Sequence, residues 1–188
     1  RKCVPLFEGA PMVALGDVVN LQKGQHMPKR DYKEGTVPVV SSGRQPTGTH
    51  SVSNRPPNTI CIAASGNYAG YVNRYTMPIW ASHCITATTK DASKLNDNYV
   101  HRILQHYQKT IYESRPSNAG QPNIYIANII HIRIPLPSLD NQAAYVALMD
   151  KKAQAIAALD ADIARLQERI AQCDELAQNL VAKACAEA

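Results

Sequence analysis

Residues 132–142, with the sequence IRIPLPSLDNQ, divide the chain into two parts that have different periodicities. Pro135 and Pro137 forbid a continuing helix and favour extended structure in the residues before them. Before this break, short β-rich runs alternate with turns, whereas neither proline nor glycine occurs between Ser138 and Ala188. The sequence therefore predicts a first domain over residues 1–138 and a long helix over residues 139–188.

An apolar seven-residue repeat runs through the second part. Ser138 and Asp140 are suitable N-caps for a helix that extends to about residue 184. One position of the repeat is taken by Met149, Ile156, Ile163, Ile170 and Ala177, and the other by Tyr145, Lys152, Leu159, Leu166, Cys173 and Leu180. Lys152 interrupts the second series. A seam this narrow is typical of a helix that pairs with another helix in a coiled coil, and packing inside a monomer is the alternative.

The first part predicts an irregular, loop-rich β-sheet. Its strands are short, rich in Val, Ile, Thr and Tyr, and bounded by turn residues, and they fall at residues 37–40, 59–63, 71–74 and 84–89. We expect a short helix or turn over residues 13–21 and extended or mixed structure over residues 124–134.

One helix is also predicted in this part, over residues 96–112. It begins with capping residues (NDN, 96–98) and places on one face Val100, Ile103, Leu104, Tyr107 and Ile111. The fold class is therefore α+β, a loop-rich sheet domain with at least one helix, followed by a long C-terminal coiled-coil helix.

The charge is divided unequally between the two parts. Residues 1–138 contain 15 basic and 7 acidic residues and carry a net charge of +8, whereas residues 139–188 carry −3. A basic domain followed by an acidic helix indicates that the domain meets polyanions and the helix meets protein. A solvated basic surface is the alternative.

The sequence excludes several classes of protein. No apolar stretch approaches the ~20 residues that a membrane span needs, and the N-terminus lacks a secretory signal. The five cysteines form no CxxC pair, which favours free thiols over a zinc site or a disulfide framework. His83 lies in an apolar run, and we expect it to be buried. These features predict a cytoplasmic protein, and a chain that begins with Arg1 suggests a piece of a longer one.

Three stretches resemble the specificity subunits of type I restriction–modification systems. They are residues 13–19 (VALGDVV) with Lys23-Gly24, residues 60–72 (ICIAASGNYAGYV) with Trp80-Ala81, and residues 120–124 (GQPNI) with the proline hinge that leads into the long helix. The hinge followed by the helix is the most specific of them. The family often has Glu where Asn141 precedes Gln142. A complete subunit resembles two such units in tandem, so this chain is either a half-subunit that dimerises or a fragment.

The resemblance implies a non-catalytic protein without a cofactor. Such a protein recognises double-stranded DNA and positions a separate adenine methyltransferase subunit, and in the full complex a restriction subunit. The sequence lacks both an adenine-methylation motif and a phosphate-binding loop. Two alternatives remain open, which are the recognition region of a fused restriction–methyltransferase enzyme and a coiled-coil module whose domain binds protein.

Candidate DNA-binding residues lie in four polar loops of the first part. Lys and Arg neutralise phosphates, while amides, hydroxyls and guanidinium groups recognise base edges. The candidates are Lys23, Gln25, Lys29, Arg30 and Lys33; Arg44 and Gln45; Asn67, Tyr68 and Arg74; and Arg115, Asn118 and Gln121, beside Ser117. For each loop taken singly, a polar surface turn is the alternative.

The long helix suggests how two recognition domains are spaced. About 45 residues at ~1.5 Å rise span roughly 65–70 Å, close to two turns of B-DNA. An antiparallel homodimer would therefore recognise a palindromic target in two halves. Ile and Leu at the two seam positions favour parallel pairing instead, so the orientation stays open. The alanine-rich outer face either docks the methyltransferase or reflects helix propensity alone.

Overall fold

The computed structural model describes residues 6–115 and 122–186. The chain divides into two compact units, Arg1–Val146 and Ala147–Ala188. The described elements are, in chain order, β1 (Met12–Ala14), α1 (Leu15–Val18), β2 (Val19–Lys23), β3 (Val37–Val40), β4 (Thr49–His50), β5 (Thr59–Ala63), β6 (Val72–Tyr75), β7 (Trp80–Ala81), β8 (Cys84–Thr89), α2 (Asp97–His106), α3 (Gln108–Glu113), α4 (Ile126–Ile129), β9 (Arg133–Pro135) and α5 (Leu139–Ala186). The predicted α+β fold with a long C-terminal helix is confirmed.

A four-stranded antiparallel sheet in the order β2-β8-β5-β6 forms the centre of the first unit. Every residue of β5 is buried, as are the first four of β8. Two smaller sheets flank it: β1 pairs with β9, and β3 lies between β4 and β7. Burial of β5 on both faces explains why its sequence, TICIA, is continuously apolar or β-branched rather than alternating.

Helix α2 closes one face of the domain core. Asn96 caps it by accepting a 2.7 Å hydrogen bond from the backbone N–H of Asn98. Its inward face buries Tyr99, Val100, Ile103 and Leu104. The predicted helix over residues 96–112 is interrupted at Tyr107, whose ψ of 8° separates α2 from α3.

The strand predictions are largely accurate. The strands at 37–40, 59–63 and 84–89 have the predicted bounds, and the fourth is shifted by one residue. Residues 13–21 contain a single helical turn, α1, between two strands rather than one short helix or turn. Residues 124–134 are mixed, since they contain α4 and the beginning of β9.

The first turns of α5 belong to the first unit. Tyr145 is buried there, with its ring centroid 5.0 Å from that of Phe7 and 5.7 Å from that of Tyr99. Gln142 is also fully buried. Burial of these two side chains extends the apolar core of the domain into the beginning of α5.

The second unit is the remainder of α5. Met149 is half-buried, and beyond it the large apolar side chains of the predicted seam are exposed, with exposed fractions from 49% at Ile156 to 69% at Leu180. Single exposed apolar residues are ordinary, but a regular row of them indicates a face that another surface covers. No helix among the described residues is long and apolar enough to cross a membrane.

Candidate nucleic-acid interface

Several polar segments meet at one end of the four-stranded sheet. The sheet is antiparallel, and its registers pair Lys23 with Ile85, Ala63 with Cys84, and Ile62 with Val72. The ends of β2 and β5 therefore lie beside the beginnings of β8 and β6. We call this region the loop end, comprising residues 23–27, 41–45, 64–71, 82–83 and 122–125.

Hydrogen bonds between neighbouring loops hold the loop end together. The hydroxyl of Ser42 donates to the carbonyl of His83 at 2.8 Å and lies 2.8 Å from the hydroxyl of Ser65. Ser82 donates its N–H to the carbonyl of Val40 at 2.7 Å and accepts from the N–H of Met27 at 3.1 Å. Residues far apart in sequence are thus fixed in one surface.

Gly24 allows the β2 loop to approach β7 closely. A Cβ at this position would lie 2.1 Å from the carbonyl oxygen of Ser82 and 2.8 Å from that of Ala81. The N–H of Gly24 donates to the carbonyl of Cys84, and the next residue, Gln25, donates to Ala81, both at 2.8 Å. Only glycine permits this contact, which sets the direction of the loop that carries Lys23 and Gln25.

Arg44 stacks on two tyrosines at the loop end. Its guanidinium carbon lies 5.1 Å from the ring centroid of Tyr68 and 5.4 Å from that of Tyr71. Arg44 and Tyr68 are both exposed, so the stacked guanidinium keeps its outer face and edges available to a ligand. The same residues line an open cavity of about 280 Å³ together with Asn67, Lys109 and Tyr112.

The structure brings most of the predicted DNA-binding residues to this surface or its border. Those on the loop end, all exposed, are Lys23, Gln25, Arg44, Gln45, Asn67 and Tyr68. The loop between β2 and β3 also exposes Lys29 and Arg30, in a single 3₁₀ turn, and Lys33. Arg115 follows α3 and stacks 3.6 Å from the ring centroid of Tyr112, which lines the same cavity as Arg44.

Two groups of predicted residues are not at the loop end. Arg74 pairs in register with Ile60 and donates a hydrogen bond to the side chain of Asn98, so it lies towards the opposite end of β6 and supports α2. Its Nε is buried and has no hydrogen-bond partner. Asn118 and Gln121 lie outside the described residues.

Arg55 is a further basic residue near the surface, but its contacts are internal. Its guanidinium donates to the carbonyl of Lys23, the hydroxyl of Thr86 and the carbonyl of Asn54, at 2.8 to 3.2 Å. These bonds tie the end of β2 and the interior of β8 to the segment before β5. Arg55 therefore positions Lys23 rather than adding a free cation to the surface.

The prediction that His83 is buried is wrong. His83 is exposed because it lies in the short connection between β7 and β8, while Cys84 beside it begins the buried strand. Its ring lies 4.4 Å from that of His26. Partial burial lowers the pKa of His83, and the neighbouring His26 and Lys23 lower it further. The loop end thus gains two histidines that the sequence prediction missed.

Comparisons with known proteins agree with this architecture. A family model described as the type I restriction modification DNA specificity domain matches residues 8–168. No curated protein matches the chain. Among the described residues, no cluster of His, Cys, Asp or Glu could hold a metal ion.

Three solved structures share the fold. The S subunit of a type I restriction–modification system from M. genitalium is 22% identical with a TM-score of 0.67, over 79% of this chain and 41% of that one. The HsdS subunit from Thermoanaerobacter tengcongensis is 22% identical with a TM-score of 0.61, over 85% and 41%. A chain from a structure on complex assembly and conformational transition of the type I R-M system is 21% identical with a TM-score of 0.64, over 85% and 42%. The chain spans about two fifths of the length of each.

Proposed function

The chain belongs to the family of type I restriction–modification DNA specificity domains, and we propose that it recognises its DNA target through the loop end. The observation that carries this proposal is the position of Arg44, stacked on Tyr68 and Tyr71 on an exposed surface. A guanidinium held in this way has few rotamers left to lose, and it can donate two parallel hydrogen bonds to a guanine edge in the major groove.

The neighbouring side chains supply the remaining base-reading chemistry. Gln25, Gln45 and Asn67 are exposed on the loop end and carry amides, which can pair with both the N6 and N7 positions of adenine. They lie on three different loops that the hydrogen bonds of Ser42 and Ser82 fix in place. A rigid surface presents these groups without a large cost in conformational entropy on binding.

The exposed cations beside the loop end contact the phosphates of the DNA. Lys29, Arg30 and Lys33 lie on the loop between β2 and β3, and Arg30 forms an exposed ion pair with Asp31, with 3.8 Å between Nε and Oδ1. An exposed pair of this kind contributes little free energy, so exchange for a DNA phosphate is favourable. These residues set affinity and orientation, and the loop end sets sequence preference.

On this proposal the chain is not an enzyme. Methylation would be carried out by a separate adenine methyltransferase subunit, and cleavage by a restriction subunit, with the chain positioning both on DNA. Family membership and the assembly named for one of the matching structures support these partners.

The exposed seam of α5 supports pairing with a second helix. Ile156, Leu159, Ile163, Leu166 and Ile170 are each about half exposed or more in the isolated chain. A helix of 48 residues spans about 72 Å, which matches two turns of B-DNA. Either a second copy of this chain or the other half of a longer chain would supply the partner helix, and a homodimer would recognise a palindromic split target.

Size-exclusion chromatography with light scattering distinguishes these two arrangements. The double variant Leu159→Asp, Leu166→Asp places charges in the seam, and Ala157→Asp with Ala164→Asp places the same charges elsewhere on α5. If the chain is a homodimer, the first variant becomes monomeric and the second stays dimeric. A monomer for the unmodified chain would contradict self-pairing and point to a second helix in a longer parent protein.

Selection from a random duplex library, with the methyltransferase subunit present, tests the function itself. We expect enrichment of a split sequence, and loss of that enrichment in Arg44→Ala with an intact fold. Absence of any salt-sensitive DNA affinity would contradict DNA recognition and favour the protein-binding alternative.

A further inference from the structure

A second, larger cleft opens at the loop end, and its described lining shares no residue with that of the Arg44 cavity. Its volume is about 520 Å³, and its described lining comes from the end of β2, the segment after β5, the beginning of β8 and residues 123–126. This volume lies within the range of small-ligand sites. We propose that this cleft binds a single nucleotide, with the base against its isoleucine wall and the phosphate near Lys23 and His83.

The walls of the cleft are fixed by backbone hydrogen bonds. The N–H of Ile124 donates to the carbonyl of Ala64 at 2.8 Å, and that of Gly66 donates to Pro122 at 3.0 Å. Ser65 and Asn123 face each other across this short ladder. The segment that forms one wall is therefore paired to the segment after β5, and the cleft exists before any ligand binds.

The lining has one apolar side suited to a planar base. Ile85, Ile124, Ile126 and Ala64 contribute it; Ile126 and Ala64 keep accessible surface, whereas Ile85 and Ile124 are almost completely buried. Tyr125 also lines the cleft and is 55% exposed, so its ring is accessible to a bound base. Stacking of a base on aromatic and apolar side chains is the usual way in which proteins hold an unpaired nucleotide.

The polar lining has the charge that a nucleotide requires. Lys23 is the cation, His83 is a group that gains a proton beside an anion, and the described lining contains no carboxylate. Ser65 and Asn123 provide a hydroxyl and an amide, which suit the edge of a base. An apolar wall, a hydrogen-bonding edge and a basic mouth together favour a nucleotide over an apolar ligand or a cation.

The nucleotide can come from two sources. One is a base extruded from the bound DNA, which costs a few kcal/mol of unpairing and stacking; this source rests on the function proposed above. The other is a free nucleoside monophosphate acting as an effector. The chemistry recognised is the same, and the experiment separates the sources.

In the first part of the experiment, the intact chain is titrated with each of the four deoxyribonucleoside 5′-monophosphates. Isothermal titration calorimetry and saturation-transfer NMR measure the binding. We expect binding that weakens at least about fivefold in His83→Ala, in which one anion contact is lost. Ala64→Leu, which fills the cleft without changing charge, should weaken it similarly. His131→Ala, an exposed histidine outside the lining, should bind as the unmodified chain does.

The second part uses the duplex recovered by selection, with 2-aminopurine replacing each purine in turn. Increased fluorescence at one position on binding, lost in Ala64→Leu, would identify DNA as the source of the nucleotide. Monophosphate binding without such an increase would identify the free nucleotide.

The outcomes separate this inference from the proposed function. If DNA binds, but Ala64→Leu and His83→Ala change neither the affinity for monophosphates nor the 2-aminopurine fluorescence, the nucleotide site is refuted while DNA recognition stands. If monophosphates bind in the cleft but no duplex is selected, the site stands and DNA recognition is refuted. Circular dichroism of each variant confirms that the fold is retained.

Discussion

The side-chain oxygen of Gln142 accepts a 2.9 Å hydrogen bond from the backbone N–H of Asn96, which joins the first turn of α5 to the N-cap of α2. The amide nitrogen of the same side chain donates to the carbonyls of Lys94 and Pro137, at 2.8 and 2.9 Å. Gln142 is fully buried, so three backbone groups depend on one side chain for their partners. The beginning of α5 is therefore part of the domain.

Gln142→Leu should destabilise the chain by about 2–4 kcal/mol, because a similar volume remains but buried backbone groups lose their partners. Urea denaturation followed by circular dichroism, at one fixed protein concentration, measures the change. Gln154→Leu, at an exposed position of the same helix, is the control and should change stability by less than about 0.5 kcal/mol. Equal effects of the two substitutions would show that the buried bonds contribute nothing specific.

The same geometry fixes where a truncation of the helix can be made. Cutting after Leu139 would remove Gln142 and Tyr145, both buried in the domain. A shortened chain meant to test helix pairing should therefore retain residues up to Val146, where the first compact unit ends.

Gly24→Ala should destabilise the domain by about 1–3 kcal/mol, because the added methyl group collides with the backbone carbonyls of Ser82 and Ala81. Thermal denaturation measures the loss. Gly43→Ala is the matched control, since the nearest atom to its added Cβ would be the carbonyl oxygen of Gln45, at 3.3 Å. A Gly24 variant as stable as the Gly43 variant would mean that the β2 loop moves freely away from β7.

Arg44→Lys should weaken binding of the selected duplex by about 5–100-fold, nearly as much as Arg44→Ala. Lysine keeps the charge but loses both the planar donor pair and the stack on Tyr68 and Tyr71. Fluorescence anisotropy at fixed salt measures the affinity, with Arg169→Lys on α5 as the control. If Arg44→Lys binds as tightly as the unmodified chain, Arg44 contributes charge alone.

Acidification should strengthen DNA binding and slightly weaken the fold. The pKa of His83 is lowered by burial and by His26 and Lys23, so the folded chain disfavours its protonated form. The unfolded chain takes up this proton more readily, and stability therefore falls as the pH drops through about 6.5, the usual histidine value. Nearby phosphates favour the protonated form, so DNA affinity should rise from pH 7 to 5.5.

His83→Ala should reduce both pH effects, while His131→Ala should leave them unchanged. Anisotropy titrations at constant ionic strength and urea denaturation over the same pH range measure the two quantities. An unchanged pH profile of DNA affinity in His83→Ala would place this histidine away from the phosphates.

The sequence predicted those parts of the structure that depend on local pattern. Strands β3, β5 and β8 have the expected bounds because β-branched runs lie between strong turn residues. The long helix was evident because residues 139–188 contain no glycine or proline. The interruption at Tyr107 of the helix predicted over residues 96–112 was not evident from the sequence, because it depends on tertiary contacts. The side chain of Gln108, the first residue of α3, accepts a 2.7 Å hydrogen bond from the N–H of Val72.

The candidate site was predicted by residue type but not by arrangement. Composition indicated that Arg44 and Tyr68 belong to polar loops, and only the sheet register brings these loops together. Arg74 has the same chemistry but lies towards the opposite end of its strand. Both the burial of Gln142 and the exposure of His83 follow from long-range packing, which no single stretch of sequence contains.

The salt dependence of DNA affinity tests the central claim most directly. For the unmodified chain, the logarithm of the binding constant should fall linearly with the logarithm of salt concentration, and substituting Lys29, Arg30 and Lys33 together by Gln should reduce the slope by about 2–3. Gln substitution of Lys151, Lys152 and Arg165 on α5 should leave the slope unchanged. Equal slopes for both triple variants, or an affinity independent of salt, would contradict DNA recognition through the loop end and its neighbouring cations.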